Sequence, residues 1–166
     1  MSIWATRVEK IRTGNLGQNY AFRRILVAID GSANAGRASK AALAICSKFG
    51  AELKVIQVIP RPSESSGLNV RHGPLLKDYY GEATKEAEKN IQNVVEMATR
   101  QGVKVTGEVL DYPSSIVQAI LGYAEDRRVG LIVVGTRGLG GFKKLIMGSV
   151  STALVNHATC PVLVVR

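Results

Sequence analysis

Three glycines and a serine near the carboxyl end of the chain have a spacing suited to phosphate binding. Gly135 and Gly138 are separated by two residues, and Gly148 follows after nine more and stands directly before Ser149. Glycines let a backbone approach an anion closely, and the N–H groups at the start of a helix favour negative charge. The spacing fits neither a Walker A loop, which needs Lys and Ser/Thr after its last glycine, nor the dinucleotide pattern G-x-G-x-x-G.

The residues around these glycines predict the elements that hold them. The apolar run at residues 131–134 is typical of a strand buried on both faces, as in parallel sheets covered by helices. A short helix is expected to begin near Ser149, because apolar residues recur at helical spacing from Val150. Residues 161–165 form another apolar strand. This order predicts bare N–H groups and the positive end of a helix dipole at the carboxyl edge of a parallel sheet.

The whole chain alternates between strand and helix patterns. This alternation predicts an α/β fold in which a five-stranded, doubly wound, Rossmann-like parallel sheet carries helices on both faces. The expected strands are residues 24–30, 52–59, 103–110, 131–134 and 161–165. The expected helices are residues 35–49, 75–100 and 114–128 and a short one that begins near residue 149.

The glycine spacing, the closing Cys160-Pro161 with its apolar run, and the segment Val-Ala-Ile-Asp-Gly-Ser at residues 27–32 resemble the ATP-binding branch of the universal stress protein family. The resemblance covers roughly residues 23–166 and implies a nucleotide-binding domain there, after an extension at residues 1–22. It also implies the strand order 3-2-1-4-5. Asp30 and Gly135, which end strands 1 and 4, then meet at the switch point where open α/β sheets bind ligands. The chain departs from the family pattern at Gly130, where Asp commonly begins the fourth strand.

The resemblance implies roles for individual residues of the site. The backbone around Ala28 and Val58 would hold adenine, and Val134 would line the pocket. Asp30 either accepts hydrogen bonds from ribose hydroxyls or braces the turn that follows it. N–H groups and serine hydroxyls at the helix start would bind phosphate oxygens. The full candidate set is Ala28, Asp30, Val58, Val134, Gly135, Gly138, Gly148, Ser149, Val150 and Ser151.

Neither basic side chains nor metal ligands are added to this set of candidate residues. Arg137, Lys143 and Lys144 either screen the triphosphate or are solvated surface residues. Mg²⁺ can accompany ATP without dedicated protein ligands, so no metal ligand is predicted. No catalytic residue is predicted either.

Composition and charge narrow the function classes. The net charge is +9, and residues 127–166 carry six basic residues and no acidic one, which favours an anion site. A nucleic-acid partner is not expected, because aromatic residues make up only 5% and no nucleic-acid motif is present. No apolar run approaches the ~18 residues of a membrane span. The lack of an apolar signal segment and the two isolated cysteines predict a cytoplasmic protein with free thiols.

Three function classes remain after these exclusions. The favoured one is an ATP-binding stress-response protein that acts as a nucleotide-dependent regulatory switch, with slow hydrolysis at most. The second is an ATP-hydrolysing or adenylate-transferring enzyme. It is disfavoured because no Walker acid, carboxylate pair or activated nucleophile is visible. The third is an interaction module that binds no nucleotide.

The last strand and one loop suggest further contacts. Residues 162–165 are expected to form a flat, apolar edge strand, and an edge strand of this kind promotes aggregation when it is left exposed. The sequence and the resemblance both predict a homodimer along this strand, and the protein partner of a regulatory switch remains unknown. A Pro-, Ser- and Gly-rich loop at residues 60–73 leaves the same sheet edge as Asp30 and is long enough to fold over a nucleotide.

Overall fold

The computed structural model describes residues 22–60, 73–112, 115–138 and 147–166. The expectations for the extension at residues 1–22, apart from Phe22, lie outside the described residues. Those for most of the loop at residues 60–73, and for Lys143 and Lys144, lie outside them as well.

Five strands alternate with four helices in the described part of the chain. They are β1 (Arg24–Ile29), α1 (Ala33–Phe49), β2 (Glu52–Pro60), α2 (Gly73–Arg100), β3 (Val105–Tyr112), α3 (Ile116–Asp126), β4 (Leu131–Gly135), α4 (Ser149–His157) and β5 (Val162–Val165). All four strand pairs are parallel, and the sheet order is β3-β2-β1-β4-β5. The predicted fold and strand order are therefore confirmed.

Each face of the sheet has its own apolar core because strand side chains alternate between the faces. On β1, Ile25 and Val27 point to one face and Leu26 to the other, and all three are fully buried. Helices α1 and α2 cover the first face, and α3 and α4 cover the second. Helices on both faces leave the carboxyl edge of the sheet as the place where chain segments from distant parts of the sequence meet.

Local signals set the ends of two helices. The Ser32 hydroxyl accepts a hydrogen bond from the Ala35 N–H at 3.2 Å and caps α1, and Gly50 ends that helix in a left-handed conformation with φ of 64°. Helix α3 begins after Ser115, which caps it through the Gln118 N–H, and not at residue 114. The expected strand at residues 103–110 lies two residues later, because the Val103 N–H still bonds to the Ala98 carbonyl at the end of α2.

The two edge strands differ in length and cover. Strand β3 has eight residues and carries charged side chains, whereas β5 has four residues that are all half-buried.

In the part of the chain that the structure describes, none of the helices combines the length and the apolar character needed to cross a membrane.

Candidate functional site

A cavity of about 550 Å³ lies at the carboxyl ends of β1 and β4, which are neighbours in the sheet. It is lined by segments that are far apart in sequence: the ends of β1, β2 and β4, and the first turns of α3 and α4. Its volume is within the range typical of small-molecule sites. All ten candidate residues line it: Ala28, Asp30, Val58, Val134, Gly135, Gly138, Gly148, Ser149, Val150 and Ser151.

One end of the cavity is apolar. Ala28 on β1 is the register partner of Val134 on β4, and Val58 continues the same surface from β2. Ile116 and Ile120, one turn apart on α3, close this end from the opposite side. Two apolar walls of this kind suit a flat, weakly polar group such as a heterocyclic base.

The other end of the cavity is formed by the start of α4. Gly148 occupies the N-cap position and, having no side chain, makes no capping hydrogen bond. The first N–H groups of a helix have no carbonyl partner within the helix, so those of Ser149, Val150 and Ser151 remain for another acceptor. No acidic side chain stands in this first turn. Helices α1 and α3, in contrast, begin with serine caps. The α4 start is therefore suited to an anion.

The Thr136 carbonyl ties β4 to this helix start. It accepts hydrogen bonds from the Gly148 N–H at 2.7 Å and from the Ser151 hydroxyl at 3.1 Å. The Ser151 hydroxyl also lies 3.0 Å from the Gly148 carbonyl, and Ser151 is only 3% exposed. Since its single proton is directed to main-chain carbonyls, Ser151 braces the helix start and does not donate that proton to a ligand. Ser149 is exposed, and its hydroxyl makes no hydrogen bond to the described residues.

Asp30 stands at the end of β1 beside the loop that follows β4. Its carboxylate accepts a hydrogen bond from the Ser32 N–H at 3.0 Å, so it does brace the following turn. Gly138 lies directly against the same carboxylate, and a Cβ at Gly138 would overlap it. The two segments that the spacing singled out are therefore in contact, and the small size of Gly138 is what allows it.

Gly135 is needed for packing against α1. A Cβ on this residue would lie 2.9 Å from the backbone carbonyl carbon of Asn34, closer than real Cβ contacts come. Neither Gly135 nor Gly138 has a positive φ, whereas Gly31, after Asp30, does. Both glycines line the cavity, as a role beside a ligand requires, and each one also makes room for another part of the protein.

Several residues that line the cavity were not among the ten candidates. Arg137 had been considered only as a screening cation, and the rest are Ile29, Ala35, Ile116, Ile120 and Thr136. The two isoleucines have helical spacing in the sequence, but the same spacing serves ordinary packing. Among the described residues that line the cavity, Asp30 is the only acid and Arg137 the only base.

The groups with shifted pKa values lie outside the cavity lining. Burial raises the pKa of the Cys46 thiol to about 11 and also raises that of Cys160, which disfavours the reactive thiolate form of both. Both cysteines are free, as expected, although Cys160 is only half-buried. In the described ranges, no group of three or more His, Cys, Asp or Glu side chains is arranged to hold a metal ion.

Comparison with protein families gives a match that spans the whole sheet. The model described as "Universal stress protein family" matches residues 21–166. The chain belongs to the universal stress protein family. The resemblance noted from the glycine spacing is therefore confirmed at the level of the family.

Individual universal stress proteins agree with this assignment. The chain is 34% identical over 149 residues to Universal stress protein YxiE of Bacillus subtilis, an alignment that covers 87% of this chain and 99% of the relative. The structure of universal stress protein UspA from Lactobacillus plantarum superimposes with a TM-score of 0.78 at 23% identity, covering 87% of this chain and 98% of the other, and shows the same fold. A universal stress protein solved in complex with cAMP gives a TM-score of 0.65 at 25% identity, with coverage of 88% and 98%.

Proposed function

We propose that this universal stress protein binds ATP in the cavity and acts as a nucleotide-dependent regulatory switch. The observation that carries the proposal is the composition of the cavity, whose lining includes apolar strand and helix residues, a carboxylate and an uncapped helix start. Base, ribose and phosphates of a nucleotide require these three environments. The related universal stress protein solved with cAMP supports an adenine nucleotide as the ligand class.

The proposed orientation follows from the chemistry of each wall. Adenine lies between the strand residues Ala28, Val58 and Val134 and the two isoleucines of α3. The ribose hydroxyls donate to the Asp30 carboxylate, because a carboxylate can accept several hydrogen bonds. The phosphates accept from the first N–H groups of α4 and from the Ser149 hydroxyl. Mg²⁺ on the phosphates needs no protein ligand of its own.

The same cavity favours holding ATP over hydrolysing it. Fast phosphoryl transfer needs a group that orients the attacking water and cations near the γ-phosphate. Asp30 is the only carboxylate among the described lining residues, and in the proposed orientation it contacts the ribose. We therefore expect turnover well below the ~1–100 s⁻¹ of dedicated phosphoryl-transfer enzymes. A turnover near 1 s⁻¹ that disappears in a Gly148→Val variant would favour an ATPase.

The test of the proposal is to identify what the purified protein carries. Native protein is denatured, and the released small molecules are identified by mass spectrometry. Nucleotide-free protein is then titrated with ATP, ADP, AMP and cAMP. The proposal expects ATP among the released molecules and the tightest binding for ATP. Absence of any nucleotide, together with no binding in the titration, would leave an interaction module on the same fold.

We further propose a homodimer joined along β5. All four residues of this edge strand are half-buried and apolar, with no second strand on their outer side in the described chain. Antiparallel pairing of two copies would close the edge by two-fold symmetry. Sedimentation of the wild type should give a dimer, and Val164→Lys should give monomer or precipitate. A wild type that sediments as a monomer at micromolar concentration would contradict this.

We also propose that the protein is cytoplasmic, because free thiols stay reduced in the cytoplasm.

A further inference from the structure

Residues 135–138 begin with the last residue of β4, and we call them the loop entry. Other parts of the structure hold each of these residues in place. The Thr136 N–H donates to the Val165 carbonyl of β5 at 2.8 Å, and the Thr136 carbonyl accepts from the start of α4. Gly138 rests on the Asp30 carboxylate. The Arg137 carbonyl is the remaining anchor, and its partners among the described residues are two side chains.

Two side chains at the start of α1 donate to the Arg137 carbonyl. The Asn34 side-chain nitrogen lies 3.1 Å from this oxygen, and the Ser32 hydroxyl lies 3.4 Å from it. The serine oxygen also serves as the cap of α1. Asn34 therefore makes the shorter contact, and its own backbone packs against Gly135 at the beginning of the loop entry.

The orientation of the Asn34 amide is fixed by its two partners. On one side the Arg37 guanidinium approaches the amide oxygen, and on the other side the amide nitrogen faces the Arg137 carbonyl. A guanidinium can only donate and a carbonyl can only accept. Only a carboxamide in this orientation satisfies both partners, and a carboxylate of the same shape would lose the bond to Arg137.

We propose that Asn34 is a positioning residue for the phosphate end of the cavity, an inference that rests on the proposed function. Its amide fixes the Arg137 carbonyl to α1, and the Thr136 carbonyl fixes the preceding residue to α4. Together these bonds set how far the α4 start stands from Asp30, and hence from the ribose. Asn34 does not line the cavity and acts on a ligand only through the loop entry, so its effect is confined to ligands that carry phosphate.

The test compares ATP with adenosine by calorimetric titration. Asn34→Ala should weaken ATP binding about tenfold, and adenosine binding should stay within about twofold. Asn93, which is exposed on α2 and outside the cavity lining, provides the matched control, and Asn93→Ala should bind both ligands like the wild type. A purely structural role for Asn34 would weaken both ligands equally, and that result would overturn the inference.

A second variant covers the case in which Asn34→Ala fails to fold. Asn34→Asp keeps the size of the side chain and the oxygen that accepts from the Arg37 guanidinium, but it removes the N–H donor to the Arg137 carbonyl. It should weaken ATP binding to a similar extent, and the loss should persist at high salt, where repulsion of the added charge is screened. Wild-type affinity in Asn34→Asp would overturn the inference and leave the proposed function intact. A wild type that binds neither ligand would overturn both.

Discussion

The two ends of the parallel sheet satisfy their polar groups in different ways. At the amino end, side chains meet side chains: Glu52 bonds to Lys54 at 2.9 Å and lies 3.7 Å from Lys104. Further along β3, outside the cavity lining, the Tyr123 hydroxyl donates to Glu108 at 2.7 Å. At the carboxyl end, the polar groups are main-chain N–H and carbonyl groups and short side chains around a cavity. The amino end is a closed set of partners, whereas the carboxyl end leaves donors for a ligand.

This difference shows why charge alone does not locate the site. The acidic groups with shifted pKa values lie outside the cavity: the hydrogen bond from Lys54 lowers the pKa of Glu52, and burial and Glu108 raise that of Tyr123. Glu52 is paired with Lys54, and Tyr123 is paired with Glu108. The cavity is marked instead by an uncapped helix start and by glycines that bring segments together. Substitutions at the amino end should therefore change stability, and substitutions at the carboxyl end should change binding as well.

The largest effect on stability is expected for Gly135→Val at the carboxyl end. The added side chain would overlap the Asn34 backbone, and two packed elements would have to separate. The free energy of unfolding should fall by about 3 kcal/mol, the upper part of the range for overpacking. Urea denaturation measures the change. Gly122→Ala on α3, where nothing lies within 4 Å of an added Cβ, is the control and should gain about 0.5–1 kcal/mol. Equal stability of both variants would refute the packing role of Gly135.

At the amino end, Glu52→Gln should cost about 1–2 kcal/mol at neutral pH, because the Lys54 side chain, only 11% exposed, loses its charged partner. ATP affinity should not change. Since the pKa of Glu52 is lowered in the folded state, its contribution is present above the ordinary value of 4.5 and is lost as the pH falls through the lower folded pKa. The stability difference between wild type and variant should therefore be constant near neutral pH and shrink as the pH falls below 4.5. A difference that does not depend on pH would contradict this assignment.

A smaller effect is expected for Tyr123→Phe. The hydroxyl donates to Glu108, which keeps a contact to the Arg127 guanidinium at 3.5 Å, and the ring stays in the core on the α3 side. Loss of one hydrogen bond should cost about 1 kcal/mol. ATP affinity should stay within about twofold, as judged by titration. A large loss of affinity would mean that the Tyr123–Glu108 pair is coupled to the cavity, and the contrast between paired side chains and the binding site would fail.

Much of the fold could be predicted because its signals are local and repeated. Apolar runs, helical spacing and glycine stops gave the order of the elements, and the resemblance gave the strand order, which put Asp30 beside the glycine-rich segment. Element ends were less predictable. Ser114 and Ser115 are both capable caps, and only the structure shows that the hydroxyl of Ser115 bonds to the Gln118 N–H.

The site was predictable as a set of positions and less so as a set of roles. Spacing shows that Ser151 is in the first turn of α4, but it cannot show that its hydroxyl turns back to the Thr136 carbonyl. Likewise, the pair Ile116 and Ile120 has the same spacing whether it faces a core or a cavity. Asn34 carried no signal beyond its helix-capping potential, because its partner, the Arg137 carbonyl, lies 103 residues away.

The most direct test of the central claim is calorimetric titration of nucleotide-free protein with ATP, for the wild type and for Gly138→Val. The added side chain would displace the Asp30 carboxylate from the middle of the cavity while α1 and α4 keep their other contacts. The account predicts that the wild type binds ATP and that the variant binds it at least about tenfold more weakly, a loss of about 1.4 kcal/mol, with an unchanged circular dichroism spectrum. Equal ATP affinity in the two proteins, or no binding by the wild type, would contradict it.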